Sequence, residues 1–375
     1  MKKGFILSAL TTLSMSFLAG AMAPTPVAHA AGQDIKVWVQ FSDETAEGKA
    51  WAKVVENFNK KYDGKYQVTT EYIPRSGSGG GYEDKVNAGI TTNTLPDVIT
   101  LDGPNTAAYA KSKVIAPLDD YLADANMDDV LDSIKQQGTY DGKFYAFGFS
   151  ESNVGIYYNK KMFKEAGIED SELPTLQKPW TWDEFKAISK KLTDHFKQPA
   201  IDFRLNSMDE MLPYAYMPLL WSNGGTVVNE DGTKAQGYFN SKESVEAVQF
   251  IQDLVKEGYT TISPVEKGFE TGVYPMVLSG SWTINDLNEN YKDIEYGILP
   301  YPVSNTTKKL VSPSGSWQLA VTEKSEQKEG AAEFIKFATN TESSEIISLG
   351  NSVLPIRKTT IANIKDKEML DILPI

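Results

Sequence analysis

Three features of the chain predict an α/β protein of two domains. Strand-like and helix-like stretches alternate from the start, the 375 residues exceed what one core usually serves, and the composition, 41% hydrophobic and 23% charged, is that of a globular chain. With no cysteine, an exported chain must rest on apolar burial alone, which a unit of more than about 100 residues supplies.

The first thirty residues stand apart from that fold. Lys2 and Lys3 precede an apolar run and the small-residue end Ala28, His29, Ala30, the pattern of a secretory leader cut after Ala30. The run is too short to anchor the chain in a membrane, and without cysteine no lipid anchor is expected. The leader takes two of the 37 basic residues and none of the 50 acidic ones, so the exported chain carries −15. That charge argues against nucleic acid and anionic lipid as partners. One histidine remains, His195 in "KKLTDHFKQ", expected as a solvated helix-end residue where a basic group suits the helix dipole. A lone histidine and no cysteine argue against a Ser-His-Asp triad, a Cys-His pair and a Cys/His zinc site, and neither cofactor nor metal is expected.

Taken in order, "IKVWVQF" alternates as a strand. The helix that follows carries Trp51, Val54, Val55, Phe58 and Tyr62 at helical spacing behind a Ser42/Asp43 cap. "YQVTTEY" reads as a second strand, "GYEDKVNAGI" as a helix and "PDVITL" as a short buried strand. A capping box, Thr181 with Glu184, opens "TWDEFKAISKKLTDHF", and Asn240 with Glu243 is expected to open the helix that closes at Gly258. "KEGAAEFIKFATN" is a later helix. "YPMVLSG", "IEYGILPYP" and "WQLAV" are short strands.

Of the motifs that suggest chemistry, "SGSGGG" at Ser76 to Gly81 lacks the Lys-Ser/Thr of a phosphate loop and reads as a surface loop. "NEDGT" at Asn229 to Thr233 lacks most ligands of a calcium loop and reads as a hairpin turn. Paired carboxylates could hydrolyse glycosides, but nothing in the sequence singles out two of the fifty acids. The tryptophans are more informative. Trp51 and Trp182 fall on helix faces and are expected in cores, whereas Trp38, Trp221, Trp282 and Trp317 stand beside strand ends or turns, the last two in repeated "SGSW". Such edges border crevices, and an aromatic plane flanked by polar residues suits a sugar ring. Both "SGSW" indoles are expected to line one cleft, with Gln40, Asp43, Glu44, Asp102, Asn105, Glu151, Asn153, Asn285 and Asp286 near these turns.

The succession "LPDVITLDGPNTAAYAKSKVIAPLDDYL", "YDGKFYAFGFSESNVGIYYNKKMFKEAGI", "PWTWDEFKAISKKL", "LLWSNGGTVVNEDG", "GVYPMVLSGSW", "YGILPYPVS", "AAEFIKFATN" and "SVLPIRK" resembles extracellular solute-binding protein family 1, from about Ile35 to Lys358. These are the maltose-binding-protein-like carbohydrate receptors of ABC importers. The resemblance implies a type II periplasmic-binding-protein-like fold, two α/β lobes joined by a hinge with a ligand cleft between them. Lobe one would comprise 32–149 plus 317–352, and lobe two 150–316 plus 353–375, incomplete at its C-terminal edge, with hinge crossings at Gly148 to Glu151 and Ser314 to Trp317. It implies ligand contacts at Trp38, Gln40, Ser42, Asp43, Asp102, Glu151, Asn153, Tyr214 or Tyr216, Trp221, Gly280, Trp282, Gly315 and Trp317. It further implies a monomer that is no enzyme, delivering a small carbohydrate to permease subunits served by a separate ATPase. The alternatives are a secreted carbohydrate-active enzyme, and a metal or anion receptor on the same fold. Tyr157 and Tyr158 could suit ferric binding but read as part of a buried strand.

Overall fold

The computed structural model describes residues 32–75, 80–207 and 211–364. Residues 1–31, which hold the segment expected to be a leader, Ser76–Gly79 of the glycine-rich segment and everything beyond Ile364 lie outside the described residues.

Strand β1 (Gln33–Val39) puts Ile35, Val37 and Val39 on one face, all fully buried. Helix α1 (Ala46–Lys61) lays Trp51, Val54 and Phe58 over that face. Its cap is Thr45, not Ser42/Asp43: the Thr45 hydroxyl accepts from the Gly48 amide at 3.0 Å and donates to the Ser42 carbonyl at 2.7 Å. The Ser42 hydroxyl is engaged by the Glu44 amide, so a side-chain turn carries the chain three residues further before the helix starts. Strand β2 (Tyr66–Tyr72) runs parallel to β1. Helix α2 (Gly80–Thr92) leads to β3 (Val98–Asp102), parallel to β1 on its other side. Helices α3 (Thr106–Lys111) and α4 (Asp132–Gly138), the small hairpin β4 (Thr139–Tyr140) and β5 (Lys143–Phe144), and β6 (Phe147–Gly148) complete this stretch.

A second sheet then begins with β7 (Ser152–Asn159). It is followed by α5 (Lys160–Glu165), α6 (Trp182–Phe196), β8 (Ile201–Asp202), α7 (Met211–Ser222) and α8 (Lys242–Lys256). Next come β9 (Met276–Gly280), α9 (Thr283–Asn290), β10 (Tyr296–Leu299) and β11 (Ser314–Gly315). The strand order is β10-β7-β9-β8, with β11 against the start of β7. The capping box of α6 forms as expected from Thr181 and Glu184, and His195 is exposed in its last turn. Helix α8 starts one residue later than expected. Ser241 caps it by accepting from the Ser244 amide, because the Asn240 side chain is taken by the Gly237 amide at 2.6 Å. The Asn229–Thr233 turn has no flanking strands. Asn229 closes it through its amide on the Lys234 carbonyl and its side chain on the Thr233 and Lys234 amides, and Asp231 adds bonds from the Thr233 amide and hydroxyl.

The chain then returns. Strand β12 (Trp317–Val321) inserts antiparallel between β3 and β6, giving the first sheet its order β2-β1-β3-β12-β6. Helices α10 (Lys328–Ala338), α11 (Thr341–Asn351) and α12 (Lys358–Ile364) follow. The two largest apolar clusters are separate, one around Trp51, Phe58 and Phe334, the other around Phe185, Phe203 and Phe250, and a smaller one covers the opposite face of each sheet. Residues 353–364 depart from the expected grouping with the second lobe. Val353 and Ile356 enter the first core, and only Leu354 joins an apolar cluster of the second sheet. The cause is Arg357, whose buried guanidinium finds its acceptors in the first unit: the carbonyls of Thr339 (2.5 Å), Ala125 (3.0 Å) and Asn126 (3.1 Å), and Asp129 at 3.6 Å. Among the described residues no helix is long and apolar enough to cross a membrane.

Candidate functional site

Parallel strands open their C-terminal ends on one edge of a sheet, where loops and ligands gather. Here that edge carries the turn Gln40–Asp43 after β1, Asp102 ending β3, and Arg75 shortly after β2. Register links it to the second sheet through a continuous ribbon of backbone. Asp102 lies opposite Trp317, Gly315 opposite Ser152, Ser314 opposite Asn153, and Val154 opposite Gly280. The Ser281 amide donates to the Asn153 carbonyl at 3.2 Å. The structure thus gathers Asp102, Glu151, Asn153, Gly280, Trp282, Gly315 and Trp317 from segments more than 200 residues apart.

The two "SGSW" tryptophans differ. Trp282 folds its ring over Gly280 so closely that a Cβ there would lie 2.0 Å from its Cζ3; it remains 42% exposed. Gly280 is needed for this approach, and its carbonyl is held by the Tyr157 hydroxyl at 2.8 Å. Trp317 is half-buried, with the edge of Tyr82 at 6.3 Å and the Arg75 guanidinium 5.2 Å over its ring. Arg75 pairs with Glu83 at 3.0 Å, and its amide donates to the Gln40 carbonyl. That places Gln40 beside the same group, while Ser42 and Asp43 continue its turn.

Tyr214 of α7 reaches the ribbon. Its hydroxyl donates to the Ser152 carbonyl at 3.0 Å, and its ring packs on Gly315. Burial pushes its phenol well above the ordinary range. Tyr216 belongs to the second core instead, stacked on Phe203 with its hydroxyl on the Phe203 carbonyl. Trp221 is exposed, seven residues and so about two helical turns beyond Tyr214. The Trp38 ring lies on the α2 side of the first sheet, under the Lys85 ammonium at 4.6 Å and beside Gly89. Tyr157, buried in β7, is likewise internal.

Glu151 is only 3% exposed. Burial pushes its carboxyl above the usual range, against the pull of donors from Ser133, Ser314, the Ser152 amide and Gln137. Several other buried polar atoms along the ribbon have no hydrogen-bond partner among the described residues: Gln40 Oε1, Ser281 Oγ, Ser316 Oγ and both amide atoms of Gln318. Such atoms cost free energy unless something satisfies them. Arg75, Tyr82 and Gln318 were not singled out from sequence as site residues, and the polar Gln318 inside the apolar "WQLAV" was their one visible signal; Ser281 and Ser316 belong to the repeated "SGSW", of which only the glycines and tryptophans were taken as contacts. Among the described residues no three His, Asp or Glu side chains group as a metal site.

The bacterial extracellular solute-binding protein family matches this chain over residues 42–345. The chain belongs to that family. Its members are periplasmic or extracellular. The chain is 25% identical over 345 residues to the diacetylchitobiose binding protein DasA of Streptomyces coelicolor, covering 89% of this chain and 76% of that one. It is 23% identical over 229 residues to a putative binding protein of Brucella abortus, covering 59% of this chain and only 53%, about half, of the relative. In solved structures, the cyclic α-maltosyl-1,6-maltose binding protein of Arthrobacter globiformis superposes with a TM-score of 0.75 at 26% identity, covering 91% of this solute-binding protein and 86% of the other. The fold is that of the maltose-binding-like type II periplasmic binding proteins.

Proposed function

We propose that this solute-binding protein captures a sugar or oligosaccharide along the ribbon and encloses it by hinge closure of two lobes. One lobe is 32–149 with 317–364, the other 150–316. Exported as a monomer after loss of its leader, it hands the ligand to ABC permease subunits served by a separate ATPase, without turning it over. The observation that carries the reading is the gathering, at one register-linked edge between the two sheets, of an open indole (Trp282), acidic and amide side chains, and buried polar atoms without partners. Stacking suits the apolar face of a pyranose, and its hydroxyls suit the rest. The sugars named for DasA and for the Arthrobacter protein favour an oligosaccharide. A ligand that touches both lobes binds the closed form better and shifts the open–closed equilibrium toward it.

The test is a thermal-shift screen with maltose, maltotetraose, N,N′-diacetylchitobiose and sn-glycerol 3-phosphate, followed by solution scattering of any binder. A ligand at a hundredfold its Kd adds about 2.7 kcal/mol, and the radius of gyration should fall. No binder among the sugars, or binding without compaction, would reject this reading. Cleavage of a labelled oligosaccharide would make the protein an enzyme.

A further inference from the structure

The resemblance names Glu151 both as a ligand contact and as the end of a hinge crossing, and its geometry gives it specific work at the second. The chain meets the boundary between the two sheets at three places: around 149–152, around 314–316, and at Leu354. All three converge on this residue. Its amide donates to the Leu354 carbonyl at 3.0 Å and its carbonyl accepts from the Leu354 amide at 2.9 Å, a two-bond bridge to the third place. Its Oε2 accepts from the Ser133 hydroxyl at 2.8 Å and from Gln137 Nε2 at 3.5 Å, both on α4. Its Oε1 accepts from the Ser152 amide at 3.3 Å, and the Ser314 hydroxyl also bonds the carboxylate. Gln137 turns its Oε1 to the Ser316 amide at 3.0 Å, tying the second place back to the same helix.

A carboxylate removed from water is tolerated only when such donors are kept in place. These donors sit on different bodies: Ser133 and Gln137 on the first unit, Ser314 on the strand leading back from the second. Rotating one unit against the other cannot preserve all of these bonds at once. We infer that Glu151 is the pin of the hinge, setting the resting angle between the two units and acting on ligand affinity through the open–closed equilibrium, not by touching ligand. Only the affinity consequence rests on the proposed function; the resting angle is a property of the free protein.

Because the chain has no cysteine, a label pair can be installed cleanly by Lys53→Cys on α1 and Lys242→Cys on α8, both exposed. Spin-label distances are then measured without ligand in the full exported chain, in the parent, in Glu151→Gln and in Ser133→Ala, the last removing one donor and leaving the carboxylate. Both variants should shift the distance distribution in the same sense, Ser133→Ala by less. For every sugar that binds, Glu151→Gln should change affinity by one common factor of roughly fivefold or more. Distributions superimposable on the parent in both variants would overturn the inference. So would an affinity loss confined to some sugars, since that is the mark of a direct contact. If no sugar binds at all, the proposed function fails while the distance measurement still decides the pin.

Discussion

Glu47 offers a test whose size can be worked from the structure. It stands in the first turn of α1 behind the Thr45 cap, half-buried, with no hydrogen-bond or ion-pair partner among the described residues. Burial pushes its carboxyl up from 4.5 to about 7. That displacement corresponds to roughly 3 kcal/mol against the ionised form. Two effects reduce it. The side chain is partly open to solvent, and a helix N-terminus favours an anion by about 0.3–1 kcal/mol. Glu47→Gln should therefore stabilise the protein by about 1–2 kcal/mol at about pH 8. The sign follows from proton binding. Between about 4.5 and about 7 the folded chain holds a proton that the unfolded chain has released, so the parent loses stability as pH rises through that window and no more beyond it. The gain from the substitution should shrink as pH falls and vanish below about 4.5. Urea denaturation followed by tryptophan fluorescence at about pH 5 and about pH 8 measures both differences. An equal effect at the two values, or a Glu47→Gln protein less stable at the higher one, refutes the reasoning.

Other substitutions probe the site and its frame. Gly280→Ala must drive the Trp282 ring off its seat, and should weaken sugar binding by about 1 kcal/mol in calorimetry, roughly fivefold, with a changed indole emission. Tyr214→Phe removes the hydroxyl that holds the Ser152 carbonyl and should cost about 1 kcal/mol in urea denaturation. Arg357→Lys replaces a fork serving three carbonyls and Asp129 with a point charge. A loss of about 3 kcal/mol or more is expected, and a loss below about 1 kcal/mol would show that the guanidinium is dispensable there.

Much of the fold was legible because its cause is local. The alternation in "IKVWVQF", the apolar stripe of α1 and the Thr181–Glu184 box act within a few residues of themselves. Where two neighbouring side chains compete for one role, as Asn240 and Ser241 do at α8, sequence alone chose the wrong one; the Gly237 amide decided it. The site was legible only as a set of strand ends. That Trp317 would face Asp102, and carry Arg75 on its ring, depends on pairings across the whole chain. No pattern inside either segment encodes them. Glu151 is the sharpest instance: resemblance gives it both a ligand contact and a hinge crossing, and only the partners of its two oxygens, from α4, from Ser314 and from the neighbouring Ser152 amide, separate the two.

The late insertion of β12 between β3 and β6 has a bearing on how the molecule is made. Every pairing within the second sheet lies before residue 316 in the chain, so that unit can consolidate on its own. The first sheet stays open at its middle until "WQLAV" arrives, and closing so long a loop is slow. A chain that leaves the ribosome with its opening third still unfinished keeps that part unfolded while the second unit has already set.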